Sequence, residues 1–90
     1  MLMYFVYMIK NSYNDLYTGV TENPQQRLQQ HNEKRGALFT KRNSQFEIIF
    51  LEGYKTLTDA RTREIQIKKW RREKKEMLSK RYKNDLPTKL

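Results

Sequence analysis

The chain has 90 residues, enough for one small domain, and its 37% hydrophobic content can build a single compact core. It has no cysteine, which excludes disulfides and thiolate metal sites and fits a reducing cytoplasm; its single histidine excludes sites needing two imidazole ligands. Of a net charge of +9, most falls between Arg61 and Lys83, where 11 basic residues face 3 acidic ones, a cationic segment suited to polyanions and to nucleic acid above all.

Met3 to Ile9 is a nearly continuous apolar run and predicts a strand buried on both faces. It stops at Lys10, has no basic leader and is far too short to span a bilayer, so no membrane partner is expected. Asn11-Ser12-Tyr13-Asn14-Asp15 has turn chemistry, and Leu16 to Thr21 follows as the second strand of a hairpin. Asn23-Pro24 marks a helix start, with Asn as cap and Pro at the first helical position. That helix runs to about Glu33 and turns Leu28 to the core. Ala37 to Gln45, with Phe39-Thr40-Lys41-Arg42, reads as a loop or short helix. Phe46 to Leu51 is a third strand ending near Gly53. Thr58 is a cap for a long basic helix with Asp59 in its first turn. The helix breaks around Arg71 to Lys74 and resumes to about Tyr82, and Asn84-Asp85-Leu86-Pro87 ends it. The order β-β-α-β-α-α predicts an α+β fold, an α/β sandwich with a small three-stranded, partly antiparallel sheet flanked by helices. Residues 1–90 form one domain.

Five residues stand out chemically. Glu64 falls on the stripe of Ala60 and Ile67 that should face the sheet, and a carboxylate there must be paired, solvated or metal-bound. Either it bridges to Lys68 or Arg27, or it holds one hard cation whose remaining ligands are water and substrate phosphate, which suits Mg²⁺. Arg27 and His31 share a helix face four residues apart. A guanidinium clamps phosphate with two parallel hydrogen bonds, and an imidazole one turn on can move a proton. Tyr7 and Tyr17 lie on the two hairpin strands, where tyrosine is ordinary core material unless a cation and a metal favour the phenolate. Gly19 weakens its strand and marks a close approach. Phosphate loops, dinucleotide fingerprints, hydrolase elbows and zinc spacings are absent from the sequence.

As an ordered set, Phe5-Val6-Tyr7, Tyr17-Thr18-Gly19, Arg27, His31 and Glu64 resemble the motifs of the GIY-YIG nuclease superfamily. Leu16-Tyr17-Thr18-Gly19-Val20-Thr21, Phe39-Thr40-Lys41 and Arg63-Glu64-Ile65-Gln66-Ile67-Lys68-Lys69-Trp70 are similar to its small standalone bacterial branch. The resemblance covers the chain almost end to end. It departs at the first triplet, which lacks its glycine and isoleucine, at Thr18, which replaces isoleucine, and at Asn84, which Asp85-Leu86 follows instead of Pro-x-Trp.

The resemblance implies metal-dependent endonucleolytic hydrolysis of nucleic-acid phosphodiesters, with DNA as the expected substrate and shape rather than sequence as the guide. Glu64 would hold one Mg²⁺ or Mn²⁺, Arg27 would stabilise charge on the phosphorane, and Tyr17 or Tyr7 would deprotonate water, Tyr17 being favoured with Tyr7 orienting. His31 would move a proton or bind phosphate. These five are expected to line one cleft. Gly19, Lys41, Arg42 and Lys68 are expected at the nucleic acid, as are Lys69, Arg71, Arg72 and Asn84. With no room for a separate DNA-reading domain, a protein partner or self-association would supply targeting. The competing expectation is a non-catalytic nucleic-acid-binding module with the same fold.

Overall fold

The computed structural model describes residues 3–36 and 45–90. The strand β1 (Tyr4–Lys10) lies between β2 (Leu16–Thr21) and β3 (Glu47–Tyr54) and is antiparallel to both. The sheet is therefore antiparallel throughout. Three helices complete the expected order: α1 (Pro24–Gly36), α2 (Leu57–Lys68) and α3 (Arg72–Lys83). The Phe39-Thr40-Lys41-Arg42 segment lies outside the described residues.

As the middle strand, β1 is covered on both faces, which is what its unbroken apolar run requires. Val6 and Met8 enter one cluster with Ile49, Phe50, Ala60, Ile67 and Leu78, under α2 and α3. Tyr7 and Ile9 enter the other with Phe46, and Leu28 of α1 packs against it. Burying one such aliphatic side chain is worth ~1.5–3 kcal/mol, so the first cluster is the main source of stability. Against β3 the register slips after Met8: Met8 faces Phe50, but Ile9 faces Ile48. Ile49 is the extra residue of this bulge, which is why consecutive side chains, Ile49 and Phe50, enter the same cluster.

Local chemistry sets the connections. Asn11 is buried, and its Oδ1 accepts from the backbone N–H of Tyr13 (3.0 Å) and Asp15 (2.9 Å), which closes the hairpin. Asn14 takes the left-handed conformation at φ 67°, a position asparagine tolerates. Asn23 caps α1 by accepting from Gln26 N–H at 3.1 Å. The cap of α2 is Thr56, not Thr58: its hydroxyl accepts from Asp59 N–H at 3.1 Å. An N-cap side chain serves the amide three residues on, and of the two threonines only Thr56 is three before Asp59. The break after α2 falls at Lys69 to Arg71, slightly earlier than expected, and the Trp70 ring there is met by Arg63 (5.3 Å) and Lys74 (4.2 Å). The C-terminal residues fold back: Arg63 donates to the carbonyls of Thr88 (2.7 Å) and Leu90 (3.2 Å) and pairs with Glu52 (2.8 Å). Among the described residues, no helix is long and apolar enough to cross a membrane.

Candidate active site

The site is built on the β1–β2 ladder. Tyr7 and Gly19 are direct cross-strand partners, and a Cβ on Gly19 would stand 2.6 Å from the Tyr7 phenol oxygen and 2.8 Å from its Cζ. Gly19 has no left-handed φ, so the glycine is needed for space rather than backbone freedom. The Tyr7 ring lies over this gap and is only 4% exposed.

Its phenol reaches α1. The oxygen is 3.0 Å from Nε2 of His31, and Arg27 Nε donates to it at 3.4 Å. The four-residue helical spacing of Arg27 and His31 brings both to the same oxygen. Arg27 also donates from Nη1 to Gln30 at 3.2 Å and is otherwise exposed. Tyr17, 48% exposed on the edge strand β2, sets its ring against His31 at a 50° tilt with centroids 5.1 Å apart. The structure thus joins Tyr7, Tyr17, Arg27 and His31 by direct contact.

Phe46 completes the group and was not singled out in the sequence. It is 4% exposed and stands edge-on to His31 (6.0 Å) and Tyr17 (6.1 Å). The available signal was an aromatic opening the apolar run of the third strand; nothing in its spacing tied it to His31. An open groove of about 1010 Å³ between α3 and the β1–β2 turn, with Lys10, Lys75, Lys80 and Lys83 in its walls, shares only Phe46 with this group.

Glu64 is carried by the helix of the other layer, and none of these contacts includes it. It sits in the expected stripe with Ala60 and Ile67 and is 5% exposed. Its oxygens pair with Arg61 (2.9 Å) and Lys68 (3.0 Å) on its own helix, so the expected bridge goes to Lys68 and not to Arg27. Burial pushes its carboxyl up, but the hydrogen bonds and charges of Lys68 and Arg61 outweigh this and hold it below the usual range. It is therefore an ionised hard-oxygen donor at neutral pH. Among the described residues, no group of three or more His, Cys, Asp or Glu could hold a metal. The donor set fits one Mg²⁺-like cation if water and phosphate complete its shell.

The other expected nucleic-acid residues are dispersed. Lys69 and Arg71 are exposed at the α2–α3 junction, and Arg72 pairs with Glu76 at 3.2 Å. Asn84 caps α3 and donates from Nδ2 to the Lys80 carbonyl at 3.0 Å. Lys41 and Arg42 lie outside the described residues.

Residues 3–77 match the GIY-YIG catalytic domain. UPF0213 proteins of Staphylococcus aureus strains Mu50 and N315 are 38% identical over 72 residues, covering 80% of this chain and 88% of theirs. The solution structure of a UPF0213 protein from Bacillus halodurans superimposes with a TM-score of 0.55 at 26% identity, covering 86% of this chain and 82% of that one. With the paired tyrosine strands, the Arg27–His31 helix and this match over most of its length, the chain belongs to the GIY-YIG family of nuclease domains.

Proposed function

We propose that this domain hydrolyses phosphodiester bonds in DNA, guided by the shape of its substrate rather than by base sequence. The observation that carries the reading is the single phenol oxygen of Tyr7 held between His31 Nε2 and Arg27 Nε. Arg27 can only donate, so the phenol oxygen accepts from it and is shared with His31 Nε2. Tyr7 thereby fixes the directions of a phosphate clamp and of an imidazole without being consumed by either.

Arg27, exposed beyond this contact, binds the scissile phosphate and stabilises the charge that grows on its oxygens. Tyr17 presents its half-exposed side chain to the attacking water as the base of the reaction, and the water's proton passes by way of it and the adjoining His31 to solvent, His31 also being placed to bind phosphate. The water oxygen bonds to phosphorus as the bond to the leaving sugar oxygen breaks, and the leaving oxygen is protonated from solvent. Glu64 would hold one divalent cation, Mg²⁺ or Mn²⁺, which supplies Lewis-acid chemistry when bound. Lys69 and Arg71 meet flanking phosphates, which position a duplex but do not read it.

One observation favours a second reading, a binding module without turnover. Both oxygens of Glu64 are already satisfied within α2, as they would be for a purely structural ion pair. Separate measurement of affinity and cutting decides between the two. A nuclease cuts only with added Mg²⁺ or Mn²⁺, and Glu64→Gln loses that cutting and keeps the affinity. A binder is indifferent to metal and cuts nothing in any form.

A further inference from the structure

Phe46 lies one residue before the ladder of β3, where its backbone N–H and C=O turn to a side chain. Buried backbone groups need partners. Both are taken by one side chain, Asn32 of α1: Phe46 N–H donates to Asn32 Oδ1 at 2.6 Å, and Asn32 Nδ2 donates to the Phe46 carbonyl at 3.2 Å. Only a primary amide offers one donor and one acceptor side by side; Asp lacks the donor and Leu lacks both. Asn32 directly follows His31, so the residue that anchors Phe46 is the chain neighbour of the imidazole that Phe46 packs against.

We infer that Asn32 and Phe46 are positioning residues for the candidate site, acting as a clamp that sets the orientation of His31 and Tyr17; the inference rests on the nuclease reading for its catalytic consequence. The amide pair fixes where the Phe46 ring lies. The ring edge then bounds both His31 (6.0 Å, 64°) and Tyr17 (6.1 Å, 88°). Tyr17 is on an edge strand and half-exposed, and its ring meets both His31 and Phe46. His31 is bounded from the opposite direction by the Tyr7 phenol at 3.0 Å. With the clamp in place the imidazole has a phenol at Nε2 and aromatic walls around its plane. Without it, both rings lose the wall that Phe46 supplies.

The test uses the full chain with Asn32→Ala and, separately, Phe46→Leu. There is one histidine, so imidazole ¹⁵N–¹H spectra report His31 alone. The expected result in both variants is loss of the native imidazole shifts and movement toward those of free imidazole. On a cleaved nucleic acid, kcat falls roughly 10- to 100-fold while KM holds, as misplacement of a reacting group does. Native imidazole shifts and native kcat in variants whose melting temperature is merely lowered would overturn the inference. Phe46→Leu keeps the backbone pairing and an apolar filler, so it decides the matter if Asn32→Ala does not fold. Should the unmodified chain cut nothing, the nuclease reading falls, and the imidazole spectra still decide the clamp.

Discussion

The Tyr7 phenol oxygen and Nε2 of His31 are 3.0 Å apart, across 24 residues of sequence and from the central strand to the first helix. Tyr7→Phe removes that oxygen and with it one hydrogen-bond partner each of His31 and Arg27. Each lost hydrogen bond is worth ~0.5–1.5 kcal/mol, so the domain stays folded and its melting temperature falls modestly. Cleavage should drop ~100-fold through kcat, with nucleic-acid affinity retained, as binding and single-turnover kinetics would report.

Gly19→Ala places a methyl group 2.6 Å from the Tyr7 oxygen. That oxygen ends a rigid ring already held by His31, so the ring cannot yield freely. Urea unfolding should report a loss of ~1–3 kcal/mol from overpacking, with cleavage reduced as the phenol leaves His31. A variant as stable and as active as the original would show that the close approach is dispensable.

Tyr54 should titrate above the usual range of a phenol. Burial, its 2.7 Å hydrogen bond to Glu52 and the Glu52 charge push its phenol up to about 12. The neutral phenol is favoured in the folded state, so its contribution is fully present below the unfolded value of about 10 and is lost as pH rises through the folded value. Stability should therefore decline between pH ~10 and ~12, and Tyr54→Phe should flatten that decline. Phenolate absorbance and denaturant unfolding across this window measure both.

Lys69 and Arg71 are exposed cations at the α2–α3 junction. If they meet phosphate, replacing either by Ala weakens binding to all sequences alike and lowers the slope of log affinity against log salt by about 1. Fluorescence anisotropy over a salt series reads this directly. An unchanged slope would move the nucleic-acid path elsewhere.

Much of the fold was legible because it rests on local signals. The two-sided apolar run of β1, the Asn23-Pro24 start of α1 and the Asn11 turn each follow from residue chemistry within a few positions. The α2 cap was misplaced because Thr56 and Thr58 both precede an acceptable first turn, and only the backbone decides which hydroxyl meets the Asp59 amide. The antiparallel placement of β3 and its bulge at Ile49 depend on long-range pairing that no local pattern encodes. In the site, helical spacing foretold that Arg27 and His31 share a face. It could not foretell Phe46, whose place depends on Asn32 folding back across 14 residues. Nor could the stripe containing Glu64 distinguish an internal ion pair from a ligand position, since both require a carboxylate there.

The central claim is tested most directly by cleavage of labelled nucleic acids, namely single strands, duplexes, flaps and branched junctions of DNA, and RNA, with Mg²⁺, Mn²⁺ or EDTA, by the native chain and by Glu64→Gln. Metal-dependent cutting that is abolished by Glu64→Gln while affinity persists is the predicted result. Salt-sensitive binding by both proteins with no cutting of any substrate would contradict it.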